Sequence, residues 1–327
     1  MANRTTGLKG IAYELGISVN TVSRALRDCD DISEATKEKV RQKAYELGYL
    51  PNNISQFIKR NGKRLIAIVI NSFNNFYFDI MCSKFVPLIL ENNCDFTVIV
   101  SLTKKFGEDG VKQCISQRVD AIITLLEPDD KAIEVTKLNN IPMTLIGRNI
   151  DKDYIDQVYT DDEEGGKLVA KYFVEAHHLN KFIYIKMPNI ECSRRRGKSF
   201  ISVLSEYFPK PDVLTIDDKQ ARKSLHSLVK KGYNGVFCFN DELAYELLRE
   251  LNFEVPNYRT IYPHFHIAGY DALSTQVKGL IDLTSVASNY DEVAKVAFNL
   301  TMNRLDNPST SPQKVMFPVE LHIRKFI

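Results

Sequence analysis

The chain opens on a helical pattern of apolar positions and changes, after residue 64, to short unbroken apolar runs. In residues 8–26, LKGIAYELGISVNTVSRAL, the side chains Leu8, Ile11, Ala12 and Leu15 recur at i, i+3, i+4 and i+7, one stripe of a helix. Gly16 supplies the stop, and Ser18 is placed to cap a second helix by accepting from its free first-turn N–H groups. On that helix Val22, Ala25 and Leu26 face inward, while Asn20, Ser23, Arg24 and Arg27 fall on the opposite side. A third helix, SEATKEKVRQKAYELG, is capped by Ser33, buries Val40, Ala44 and Leu47, and stops at Gly48. From residue 65 the pattern becomes LIAIVI (65–70), FTVIV (96–100), AIITLL (121–126) and MTLI (143–146). A second series follows: FIYI (182–185), VLTI (213–216), VFCF (236–239), IAGY (267–270) and LTSVA (283–287). Such runs read as strands buried on both faces. Helical stretches such as ELAYELLREL (242–251) lie between most of them, which predicts two doubly wound α/β subdomains. Ligands of such sheets bind outside the carboxyl ends of the strands.

The polar face of the second helix has the chemistry to read base edges and phosphates in a DNA major groove. A helical hairpin of this kind is also common as plain amphipathic packing. Charge adds to the DNA reading: residues 1–64 carry a net +5 and the remainder −3, so the whole-chain +2 hides a basic head on a slightly acidic body.

Composition bounds the rest. A length of 327 residues calls for two or three folding units, and 44% hydrophobic with 26% charged residues is ordinary for a globular chain. No apolar run approaches the roughly 20 residues of a membrane span, and MANRTTGLKG has no signal-peptide core. Six scattered cysteines without a CxxC pair read as reduced thiols, so a cytoplasmic location is expected. His177 and His178 point apart on a helix and have no ligand-spaced neighbours, so no metal site is expected. No GxGxxG, Walker A or GxSxG motif appears; neither an enzyme nor a cofactor is expected.

The runs GISVNTVSRAL, ISEATKEKV and ELGYLPN resemble the N-terminus of the LacI/GalR (lactose-repressor) family of bacterial transcription regulators. The body resembles that family's effector domain through TDDEEGGKLVAKYFVEAHH (160–178), RRRGKSF (194–200), CFNDELAYELL (238–248), IAGYD (267–271) and FPVELHIRKF (317–326). The resemblance implies an α/β protein: a helix-turn-helix head (1–50), a hinge helix and linker (51–64), and a periplasmic-binding-protein-like body (65–327). Its near lobe would be about 65–159 and 288–316, its far lobe about 160–287 and 317–327. The family pattern also implies a homodimer on pseudo-palindromic operator DNA, and the close of the chain at IRKFI implies no tetramer.

Carried over residue by residue, the resemblance assigns base reading to Val19, Asn20 and Arg24, with Ser18, Thr21 and Ser23 placed for phosphates. Plain helix surface is the second reading of Thr21 and Ser23. Asn52 and Ile58 fall in the hinge, where Ile58, with Phe57 beside it, stands where the family wedges leucine into the minor groove. Isoleucine is the stiffer side chain, and both residues have a second reading as packing against the body. Effector contacts fall on Asn71, Phe76, Tyr77, Arg148, Arg194, Asn240, Asp271 and Tyr290, a set suited to a sugar. After MTLI the family often has aspartate; this chain has Gly147 and Arg148, which opens the way to an anionic effector or leaves Arg148 facing solvent. The rivals are a solute-binding protein of the same fold, which would need an export signal and no basic head, and a regulator answering to a nucleobase or a partner protein.

Overall fold

In the computed structural model, residues 7–26, 29, 31–47, 49, 63–177 and 179–323 are described. Arg27, Gly48, Asn52, Phe57, Ile58 and His178, each given a role above, lie outside the described residues.

The head is three helices: α1 Leu8–Leu15, α2 Val19–Leu26 and α3 Glu34–Glu46. Gly16 ends α1 in the left-handed region at φ 63°, where a β-carbon would be strained. The Ser18 hydroxyl accepts from Thr21 N–H at 3.0 Å and Ser33 from Thr36 N–H at 3.3 Å, so both predicted caps form. Ile11, Ala12, Val22, Ala25, Val40 and Ala44 make the core of the head. Leu47, expected there, is instead exposed (38%). It follows the last helical residue, and Tyr49 takes its place: its N–H reaches Ala44 O at 2.7 Å and it packs on the core.

The chain divides into two compact units, Met1–Phe73 with Met81–Val158 and Ala294–Val315, and Asn74–Ile80 with Tyr159–Val293 and Met316–Ile327. Residues 74–80 and 288–293 cluster with the second unit. The reason is local: Tyr77 meets Tyr290 edge-on with ring centres 5.7 Å apart, and Phe76 N–H points at Glu242 Oε1 at 3.4 Å.

The first unit holds strands β1 Leu65–Ile70, β2 Asp95–Val100, β3 Ala121–Thr124, β4 Met143–Ile146 and β5 Asp156–Thr160. With β11 (Lys314–Phe317) they form a sheet in the order β11-β5-β4-β3-β1-β2. The register is parallel, with Ile68 opposite Val98 on one side and Ile123 on the other. Helices α4 Phe76–Glu91, α5 Glu108–Ser116 and α6 Asp130–Leu138 provide its crossovers.

The second unit holds β6 Lys181–Lys186, β7 Asp212–Asp217, β8 Gly235–Cys238, β9 His266–Tyr270, β10 Thr284–Ala287 and β12 Glu320–His322, in the order β12-β10-β9-β8-β6-β7. β12 is antiparallel, with Ser285 opposite His322. Its helices are α7 Asp162–Lys171, which runs on into a π turn at Tyr172–Ala176, then α8 Glu191–Tyr207, α9 Asp218–Lys230, α10 Asp241–Glu254, and the short α11 Tyr258–Ile261 and α12 Leu273–Gln276. Helix α13, Tyr290–Asp306, follows β10.

None of the apolar runs marks strands β5 and β11. β5 reads DQVYT, and its Asp156 and Gln157 are buried rather than apolar. Asp156 is held by Arg304, through Nη2 at 2.9 Å and Nε at 2.9 Å, and by Gln313 N–H at 2.8 Å. No helix among the described residues is long and apolar enough to cross a membrane.

Candidate DNA-reading face and candidate effector site

Burial sorts α2 into two faces. Val22 and Ala25 are fully enclosed, while Val19 and Asn20 stand exposed at its start. Ser18 and Thr21 share a hydroxyl–hydroxyl contact at 2.8 Å, and Thr21 and Ser23 are partly exposed. Arg24 lies on the same outer side, half-exposed, and pairs with Asp31.

In the second unit α7 and α8 pack at very short range. A β-carbon on Gly166 would lie 2.2 Å from Arg196 O, so only glycine permits the approach. The approach sets Arg196 beside Asp162: Arg196 Nε donates to Asp162 Oδ1 at 2.8 Å and Nη1 to Phe239 O at 2.7 Å. The guanidinium carbon lies 3.3 Å from the ring centre of Tyr270, a cation–π contact. Burial opposes the charge on Arg196, but Asp162 foremost, with Tyr270, Cys192 and Asp271, outweighs it, and the guanidinium holds its proton more firmly than usual.

The loop after β9 is bent around a second buried carboxylate. Asp241 accepts from the Ser285 hydroxyl at 2.6 Å and from Leu273 N–H at 2.8 Å. Burial, then the charge of Asp271, drives its carboxyl well above the usual range. Asp271 and Ala272 sit at φ 103° and 44°, a left-handed stretch that the surrounding bonds enforce. Asp271 N–H donates to Val286 O at 2.7 Å, and the Tyr290 hydroxyl donates to Asp271 O at 3.1 Å. Burial raises the Asp271 carboxyl to about 7; Arg196 pulls it down, and Glu242 and Asp162 push it up. Glu242 is itself raised, mainly by burial.

The structure thus groups Tyr77, Asp271 and Tyr290 of the predicted effector residues, with Phe76 nearby through Glu242. Asn240 caps α10, its side chain accepting from Leu243 N–H at 3.1 Å. Arg194 is exposed and pairs with Glu191 at the start of α8, while Arg196, to which the resemblance gives no role, turns inward and pairs with Asp162. The signal lay in spacing, because Arg196, Phe200, Val203 and Leu204 share one helical stripe and Arg194 does not. Neither pattern nor resemblance singles out Asp162, Asp241, Glu242 or Tyr270, which the structure adds to this group. In the first unit Asn71 follows β1 and is partly buried, and Arg148 lies 3.7 Å from Glu127.

A cavity of about 1050 Å³ in the second unit is lined by Tyr245, Tyr258, Tyr262 and Phe265 and by none of the predicted effector residues. His177 and His266 stack with ring centres 3.7 Å apart; among the described residues no group of three or more His, Cys, Asp or Glu is placed to hold a metal.

Residues 7–52 match the model of the lacI family of bacterial regulatory proteins. The HTH-type transcriptional repressor PurR of Vibrio parahaemolyticus is 23% identical over 341 residues, 98% of each chain. Among solved structures, a LacI family transcriptional regulator from Enterococcus faecium with bound ribose shares the fold at a TM-score of 0.68 and 20% identity, over 80% of this chain and 97% of that one. The lac repressor dimer bound to operator and the anti-inducer ONPF does so at 0.65 and 18%, over 98% of both. Residues 7–52 are thus similar to the lacI family of bacterial regulatory proteins, and 98% of the chain is similar to an HTH-type transcriptional repressor.

Proposed function

We propose that the protein is a cytoplasmic, sequence-specific transcription repressor that binds operator DNA as a homodimer and is controlled by a small molecule, a sugar or sugar derivative. The observation that carries this reading is the division of α2: Val19, Asn20 and Arg24 lie outward while Val22 and Ala25 are locked in the head core. Arginine can pair bidentately with guanine, asparagine with adenine, and valine can meet a thymine methyl. Residues 1–50 serve as head, 51–64 as hinge and 65–327 as effector body, with Asn52 and Ile58 meeting the DNA from the hinge.

The effector rests on Asp271, Tyr77, Tyr290 and Asn240, with Asn71, Phe76, Arg148 and Arg194 as further contacts. A carboxylate and an amide supply acceptors and donors for sugar hydroxyls, and the tyrosines offer a ring face. The effector regulates only by binding one DNA-binding state better than the other.

A thermal-shift series on the full chain tests the effector class with neutral sugars, sugar phosphates and nucleobases. A sugar at 100 times its Kd stabilises by about 2.7 kcal/mol. Stabilisation by nucleobases alone would replace the sugar reading.

A further inference from the structure

We infer that Asp31 is a positioning residue for Arg24 and so sets the sequence preference of the head; the inference rests on the DNA-reading role proposed for α2. Asp31 lies in the loop between α2 and α3, and its carboxylate pairs with the Arg24 guanidinium although both side chains remain half-exposed. Described residues on both sides of it are tied by backbone hydrogen bonds: Cys29 N–H donates to Arg24 O at 3.1 Å, and Ile32 N–H donates to Cys29 O at 3.2 Å. Ile32 packs against the head core, and Ser33 caps α3. Asp31 thus lies between Cys29 and Ile32, each tied by a backbone hydrogen bond, and its carboxylate meets the Arg24 guanidinium.

A guanidinium carries five N–H donors in one plane. A carboxylate on one edge leaves the other free for O6 and N7 of a guanine. The pair therefore settles the direction of that edge before DNA arrives. A carboxylate near the phosphate backbone also weakens binding to every sequence alike, so what Asp31 adds is discrimination rather than affinity.

The test is selection from random-sequence duplex DNA by the full-length protein, run in parallel with Asp31→Asn and Asp31→Glu and followed by titrations at several salt concentrations. For Asp31→Asn the guanine preference at one position of each half-site falls by about tenfold, the size of one bidentate contact. Its affinity for non-selected DNA rises, and Asp31→Glu restores most of the preference. An unchanged preference with uniformly tighter binding would overturn the inference, leaving Asp31 as surface charge. A lost preference accompanied by lost head helicity would also overturn it, because the role would then be structural. If the unmodified protein selects no sequence, the repressor reading itself falls.

Discussion

Arg196 donates through Nε to Asp162 Oδ1 at 2.8 Å, and their side chains are only 8% and 10% exposed. The pair ties the first turn of α7 to α8 and holds the guanidinium against Tyr270. Removing one partner of such a pair strands a buried charge, which costs about 3–5 kcal/mol. Asp162→Asn is therefore expected to lower the thermal unfolding midpoint of the full chain markedly. Replacing both residues, as Arg196→Met with Asp162→Leu, is expected to recover much of the loss. Calorimetry compares the two; an Asp162→Asn midpoint equal to that of the unmodified protein would show that the pair contributes little.

Asp271 gives the proposed effector site a pH signature. Its folded-state value of about 7 stands above the ordinary aspartate value, with burial as the leading cause. A carboxyl that binds its proton more tightly when folded contributes stability that is full below the unfolded value, near pH 4, and is lost as pH rises through about 7. Asp271→Asn removes this slope, which unfolding curves between pH 5 and 8 measure. Effector binding runs the other way wherever sugar hydroxyls donate to the ionised carboxylate: affinity rises with pH through 7. Titration calorimetry across that range checks the sign, and a flat profile would remove Asp271 from the effector contacts.

Much of the fold was legible because buried parallel strands and amphipathic helices leave strong periodic marks. LIAIVI and MTLI became β1 and β4 with the bounds read from sequence. β5 carries no apolar run because its buried Asp156 and Gln157 are polar, and Asp156 is satisfied by Arg304 and Gln313, 148 and 157 residues away. The head was legible to the level of single caps, since capping is local. Of the residues the resemblance assigns to the effector, Asp271 and Tyr290 are joined through the Tyr290 hydroxyl, and Arg194 is exposed while Arg196, two residues on, is buried. Arg196 turns inward on the stripe it shares with Phe200, Val203 and Leu204, and its partner Asp162 comes from α7, which Gly166 lets approach α8 closely, a long-range relation that the stripe does not carry.

The central claim is that the outer face of α2 chooses a DNA site. Selection from random duplexes with the unmodified chain and with Arg24→Ala addresses it most directly. The account predicts a pseudo-palindromic site for the unmodified protein, and for Arg24→Ala a loss of guanine preference at one position per half-site while the dimer remains folded. The same enriched sequence from both proteins, or none from either, would contradict it.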